Sequence, residues 1–249
     1  MASLWLVPAP LDFGVDANAP LGDLLPLVTL RQAAQISHWV VENAKTARAF
    51  LKRVDTASPL VTPIQQQQIV ELPRPPKGGG AVQVDFRPLL APLRAGHELG
   101  LLSEAGLPAV ADPGALLVAQ AHREGLPVRS LAGSSSLVQA LAASGLNGQC
   151  FAFQGYLPQD AAARALRIRE LEAQSRRQGQ TQLVIETPYR NQALLRALIV
   201  TLQPGTQLAV SLSLTTAQER TLSKPVAQWR AGVPDLPKDQ PAIFSWLAS

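Results

Sequence analysis

Residues 101–114 read LLSEAGLPAVADPG, and the fold is argued from this stretch outward. The apolar run 98–102 predicts a strand. A turn of small residues follows (Ser103, Glu104, Ala105, Gly106), then a second around 108–111, then Asp112-Pro113-Gly114. Asp followed by Pro predicts a helix N-cap with proline in the first helical position, where its missing N–H costs nothing. The helix, expected over 113–124, carries Leu116, Leu117, Val118 and Ala121 and stops at Gly125. A strand end, a bend of small residues and a helix start are where open α/β sheets hold nucleotide-like ligands.

On the N-terminal side the pattern alternates. Residues 4–7 form a short apolar strand broken by Pro8 and Pro10, and 24–34 has helical spacing. A β-rich run at 38–41 ends at Glu42, and 44–54 is helical, with Ala47, Phe50 and Leu51 on one face. Residues 60–64 read as a short strand, 65–68 as a polar tract, and PRPPKGGG as a loop. A helix is expected over 84–93 despite Pro88, and a strand over 127–131. Strands alternating with helices predict a mainly parallel sheet covered on both faces. Ala132-Gly133-Ser134-Ser135-Ser136 is a second strand-to-helix turn of small residues, leading into a helix that ends near Gly145. We place the junction of two α/β domains here, 1–132 and 133–249.

The second half has a different rhythm. A strand at 150–153 runs into Gly155-Tyr156-Leu157-Pro158, a polar helix covers 161–178, and a strand covers 182–185. Thr187-Pro188 repeats the cap-plus-proline pattern before a helix with Leu194, Leu195, Leu198 and Ile199. Strands at 207–214 and 242–247 complete a mixed, more antiparallel sheet.

Composition sets the class. The 249 residues are 47% hydrophobic and 16% charged, enough apolar content for real cores. No apolar stretch approaches the roughly 18 residues that span a bilayer. The first ten residues have neither a basic leader nor an apolar segment of secretory length, so the cytoplasm is the expected compartment. The single cysteine, Cys150, excludes an internal disulfide. A net charge of +4 permits a polyanionic partner without requiring one. Arginines at 164, 167, 169, 176 and 177 share a helix with Glu170 and Glu172, the pattern of a solvated face.

Several chemistries are unsupported. There is no GxxxxGK phosphate loop, and Gly78-Gly79-Gly80 neither follows a clear strand nor opens a helix. One cysteine and three scattered histidines (His38, His97, His122) predict no metal site. Ser134–Ser136 lack the GxSxG frame of a hydrolase elbow and read as helix-capping, ligand-facing hydroxyls. What remains is a series of small-residue turns at strand ends: residues 8–12, 103–112 and 133–136, with Glu186-Thr187 closing a fourth strand.

In order and spacing, these turns resemble the tetrapyrrole methylase family of S-adenosylmethionine (SAM) dependent methyltransferases. The nearest subgroup methylates the ribose 2′-oxygen of a cytidine in small-subunit (16S) ribosomal RNA. Leu6-Val7-Pro8-Ala9-Pro10 is similar to the subgroup's opening strand and proline turn. Glu42-Asn43-Ala44-Lys45 stands where Glu-Asp-Thr-Arg is usual, and Ser103-Glu104-Ala105-Gly106 with Asp112-Pro113-Gly114 resembles Ser-Asp-Ala-Gly…Asp-Pro-Gly. Ala132-Gly133-Ser134-Ser135 takes the place of Pro-Gly-Pro. Phe153-Gln154-Gly155-Tyr156-Leu157-Pro158 matches Phe/Tyr-x-Gly-Phe-Leu-Pro, and Glu186-Thr187-Pro188-Tyr189-Arg190 matches Glu-Ser-x-His-Arg. The chain departs from the pattern at Asn43, Lys45, Glu104, Leu107 and Tyr189.

The resemblance implies SAM in a cleft between two domains, held at Pro10, Ser103, Glu104, Ala105, Gly106, Val110, Ser135, Ser136, Glu186, Leu212 and Ala242. Small side chains there let backbone groups approach a ligand, and a carboxylate such as Glu104 complements an amino or sulfonium charge. Glu42, Glu186 and Tyr189 are the candidates for a base that takes a ribose proton. Lys45 and Arg190 are candidates to hold substrate phosphate. The resemblance also implies an RNA substrate, a homodimer and no metal. Two alternatives stay open: a methyltransferase acting on a small molecule such as a tetrapyrrole, and a SAM-binding module without turnover. Trp5, Phe244 and Trp246 are apolar enough for an interface or for a core.

Overall fold

Short apolar runs in the first half produce strands, the central ones covered on both faces and the edge ones more exposed. In the computed structural model, which describes residues 2–11, 19–73 and 84–249, five of them form one sheet: β1 (Leu4–Val7), β2 (His38–Val41), β3 (Gln68–Glu71), β4 (Leu99–Leu102) and β5 (Val128–Ser130). Their order is β3-β2-β4-β1-β5, and every pairing is parallel. Helices α1 (Leu21–Leu24), α2 (Leu27–Gln35), α3 (Ala44–Ala57), α4 (Ala91–Arg94) and α5 (Ala115–Arg123) connect them.

Because successive strand residues point to opposite faces, the sheet separates two cores. Val7, Trp39, Val41 and Leu102 pack with Leu30, Phe50 and Leu51 of α2 and α3. Leu4, Val40, Leu99 and Leu101 pack with Leu90, Leu93 and Leu117. Trp39 lies across its strand neighbour Gly100: a Cβ there would stand 2.4 Å from Trp39 Cε3. The Trp39 indole N–H donates to Gln67 Oε1 at 2.9 Å, so this buried polar group is satisfied.

Three sequence expectations are corrected in this half. The helix expected over 24–34 is two helices, because Pro26 has no N–H for a continuous ladder and serves as the N-cap of α2. No strand forms at 60–64. A 3-10 turn, Ile64–Gln66, stands there, and the strand is β3, which begins at the last residue of the polar tract in an edge position that tolerates exposed residues. The segment 84–93 is a 3-10 turn (Arg87–Leu90) followed by one turn of α4, each with proline at its start. Asp12 and the glycines of PRPPKGGG lie outside the described residues.

The chain divides into two units, Met1–Ser134 and Ser135–Ser249. The second contains α6 (Ser136–Ser144), β6 (Phe151–Tyr156), α7 (Ala161–Gln178), β7 (Thr181–Glu186), α8 (Asn191–Thr201), β8 (Gln207–Leu212), β9 (Arg220–Pro225), α9 (Val226–Ala231) and β10 (Ala242–Leu247). Its sheet runs β6-β7-β10-β8-β9, with β6 and β7 parallel and the other pairs antiparallel. Phe244, Trp246 and Trp229 are fully buried with Leu194, Leu195 and Leu198, so Phe244 and Trp246 serve the core. Trp5 is half-buried, its indole N–H donating to Glu98 at 2.6 Å. Glu172 is buried and accepts from Gln203 N at 2.8 Å and from the Thr206 hydroxyl, closing the loop after α8.

Strand β9 and helix α9 have no counterpart in the sequence reading, because RTLSKP is polar and becomes a strand only by pairing at the sheet edge with β8. Among the described residues no helix is long and apolar enough to cross a membrane.

Gly100→Ala forces a methyl group into the Trp39 ring, and we expect a loss of about 1–3 kcal/mol, as for other overpacked cores. Urea denaturation of the variant checks this, and an unchanged midpoint would show that the ring moves aside freely.

Candidate active site

The central strands β1 and β4 lie side by side, and the segments leaving them are tied by a reciprocal backbone pair. Ala9 N–H donates to Gly106 O at 2.8 Å, and Gly106 N–H donates to Ala9 O at 3.0 Å. Beyond this pair the backbone turns sharply. Gly106, Ala109, Ala111 and Gly114 have φ of 71°, 66°, 66° and 123°. A left-handed alanine costs on the order of 1 kcal/mol or more and persists only where its surroundings enforce it. Such strained turns of small residues gather at ligand clamps.

The cap expected at Asp112-Pro113 is not made. Helix α5 starts at Ala115 with Gly114 as its N-cap, and no side chain caps it. A Cβ at Gly114 would come 2.8 Å from Leu101 Cδ2, so the backbone passes directly over β4. Asp112 therefore turns to other partners.

Its neighbours there are the Ser103 hydroxyl and two further carboxyls. Glu42, at the end of β2, accepts from Glu104 N–H at 3.3 Å, and Thr46 of α3 donates to Glu104 Oε1 at 3.4 Å. Burial raises the Glu42 pKa, opposed by the Glu104 N–H and the nearby Ser103 hydroxyl and reinforced by the Glu104 charge. Asp112 is pushed up to about 7, first by burial and then by the Glu42 charge, with the Ser103 hydroxyl opposing and Glu104 adding to the rise. Ser103 is buried, and its Oγ closes no well-aligned hydrogen bond among the described residues. Pro10 is also buried, whereas Glu104 and Val110 are exposed on the turn. A partly buried acidic cluster beside an unsatisfied hydroxyl suits a cationic or hydrogen-bonding ligand.

In the second unit, antiparallel pairing places Glu186, Ala242 and Leu212 in one row across β7, β10 and β8. The Glu186 carboxyl is engaged: its Oε1 accepts from Thr187 N–H at 2.7 Å, the Thr187 hydroxyl at 3.2 Å, and Arg190 at 2.6 and 3.0 Å. Thr187 therefore does not cap a helix, and a 3-10 turn, Pro188–Arg190, precedes α8. The Arg190 guanidinium also lies 5.6 Å from the ring centroid of the exposed Tyr189. Ser135 is the N-cap of α6 by position, but no hydroxyl bond caps the helix, contrary to the sequence expectation; its backbone oxygen accepts from Gln139 N–H at 3.0 Å.

The structure brings the sequence candidates Glu42, Ser103 and Glu104 together and adds Asp112, which sequence reasoning passed over because an Asp-Pro pair reads as a cap. An acid among small apolar residues was the available signal. His38 and His97, remote in sequence, stack with ring centroids 4.8 Å apart. No cluster of metal-ligating side chains occurs among the described residues.

No protein-family model matches the chain. It is 32% identical over 140 residues to the ribosomal RNA small subunit methyltransferase I of Vibrio cholerae, covering 56% of this chain and 47% of that protein. The protein of the same name from Pseudomonas aeruginosa is 39% identical over 98 residues, 39% of this chain and 33% of its own. That from Halalkalibacterium halodurans is 29% identical over 176 residues, 69% and 54%. The matches thus span between about a third and just over half of the relatives' length. Among solved structures, the methyltransferase CobJ superposes with a TM-score of 0.58 at 15% identity, covering 100% of this chain and 95% of that one. The uroporphyrin-III-C-methyltransferase from Thermus thermophilus gives 0.50 at 18% identity, covering 99% and 94%. The chain has the two-domain tetrapyrrole methylase fold and is distantly homologous to the small-subunit ribosomal RNA methyltransferases I.

Two outcomes test the geometry. With Asp112 at about 7 when folded and near 3.9 when unfolded, the native state keeps a proton that the unfolded chain has released. Its contribution to stability therefore falls as pH rises through that window and is constant above it. Relative to the parent, Asp112→Asn should gain stability from pH 4 to 7 and level off thereafter in urea titrations; a pH-independent difference would contradict the burial. Arg190→Gln strands the Glu186 carboxylate, whose side chain is 7% exposed against 28% for Arg190. We expect a loss of about 1–3 kcal/mol, reduced for the partial exposure of the arginine, and partial recovery in the double variant with Glu186→Gln.

Proposed function

We propose that this protein is a SAM-dependent methyltransferase that modifies a ribose 2′-hydroxyl of small-subunit ribosomal RNA. The observation that carries the reading is the strained, backbone-tied turn 103–114 with its acidic cluster, in a chain related to proteins of that name. The residues fit the donor. Left-handed Ala109 and Ala111 with Gly106 keep the turn free of bulk, the Ser103 hydroxyl is buried beside the Glu42 and Asp112 carboxyls, and Glu104 offers an exposed carboxyl. In this reading Pro10, Ala105 and Val110 line the donor beside Ser103 and Glu104. When bound, SAM supplies an electrophilic methyl group, and its transfer needs in-line positioning rather than a metal.

The acceptor hydroxyl must lose a proton, and a base is most effective with a pKa near the working pH. Of the three candidates we assign this role to Glu42. Burial raises its pKa, and its neighbours are the Glu104 N–H and the Ser103 hydroxyl, with no cation paired to it among the described residues. The Glu186 oxygen is taken up by Arg190 and Thr187, and Tyr189 lies against Arg190. For the same reason Lys45, exposed at the first turn of α3, is the better holder of a substrate phosphate than Arg190.

Glu104→Ala should weaken SAM binding more than tenfold by calorimetry, and unchanged affinity would move the donor elsewhere. The acceptor is tested with tritium-labelled SAM and RNA from a strain lacking this gene. We expect label in small-subunit ribosomal RNA. Label confined to small molecules would replace the acceptor, and donor binding without any label would remove turnover from the proposal.

A further inference from the structure

Helix α3 starts two residues after Glu42 and reaches the acidic turn through Thr46. Its buried face is Ala47, Phe50, Leu51 and Val54. At 100° per residue, Lys45, Arg48 and Lys52 fall within about 60° of one another on the opposite face, and all three are exposed. None of the three forms an ion pair among the described residues. The helix holds four cations, Lys45, Arg48, Lys52 and Arg53, against one acid, Asp55, in a chain whose net charge is only +4. Asp55 is turned to its own loop, accepting from Leu60 N–H at 2.9 Å. A row of like charges at helical spacing destabilises an isolated helix, so its retention on the surface beside the site calls for an anionic partner.

We propose that the Lys45–Arg48–Lys52 row is the track for the phosphate backbone of a single RNA strand, whose acceptor nucleotide lies at the Glu42 end of α3. The inference rests on the methyltransferase reading and adds where the substrate runs. From Lys45 to Lys52 the helix rises about 10 Å at 1.5 Å per residue, room for consecutive phosphates of an extended strand. Charge contacts of this kind fix register without reading sequence, and a single strand leaves its riboses accessible. The arginines of α7 do not form a comparable row, since Arg167 is paired with Glu170 and bonded to Gln154, and Arg176 donates to the chain's last carbonyl.

The test is fluorescence anisotropy of a labelled single-stranded fragment of small-subunit ribosomal RNA with the full chain, its R48Q/K52Q variant, and an R169Q/R177Q variant that removes the same charge from α7. Each lost contact to a single strand should lower the salt slope by about 0.7. R48Q/K52Q should therefore lose about 1.4 in slope and bind about 20-fold more weakly at 0.1 M salt, while R169Q/R177Q binds like the parent. Circular dichroism should show both variants folded. An unchanged slope in folded R48Q/K52Q, or an equal loss in R169Q/R177Q, overturns the track. If the parent binds SAM but no RNA, the track fails while donor use stands. If the parent binds RNA with this salt dependence but no SAM, the track stands and the methyltransferase reading fails.

Discussion

The reciprocal backbone pair between Ala9 and Gly106 is the constraint on which the candidate site depends. Parallel strands diverge freely at their ends unless something joins the segments that leave them. Here two hydrogen bonds, at 2.8 and 3.0 Å, join the segments leaving β1 and β4. The pair needs Gly106 at φ 71°, a conformation glycine adopts without a Cβ penalty. Once these segments are joined, the chain has only a few residues in which to reach α5, and it does so through two left-handed alanines and Gly114.

That short path explains the electrostatics. A turn this tight brings Asp112 back toward Glu42 and Glu104 instead of placing it at a helix start. Three carboxyls around one buried hydroxyl are costly to ionise together, which is why burial and neighbouring charge raise Asp112 to about 7 and Glu42 above its usual range. Two of the three, Glu42 and Asp112, hold their protons to higher pH, and the third, Glu104, reaches solvent. A ligand that brings positive charge or hydrogen-bond donors relieves the same repulsion.

The second unit solves its own problem differently. Its acid, Glu186, is paired within the chain with Arg190. An ion pair with 7% and 28% side-chain exposure is held for geometry as much as for energy: it orients the turn between β7 and α8 and keeps Glu186 in the row with Ala242 and Leu212. The two units thus present acids in opposite states, one poised to exchange protons and one locked in a pair.

Much of this was legible in the residues. Near-continuous apolar runs identify β1, β2 and β4, because a strand covered on both faces has little room for polar side chains. The turn at 103–106 and the helix 161–178 likewise follow from small residues and from spacing, and their order carries the family resemblance. Edge strands β3 and β9 were not legible, since QIVE and RTLSKP become strands by pairing with a neighbour already in place, not by propensity. The roles of Asp112, Thr187 and Arg190 were also decided only in three dimensions. Each carries a local signal, a cap or a free cation, that a closer partner overrides: local chemistry fixes which bonds a side chain is able to make, and the packed chain decides which partner stands near enough to make them.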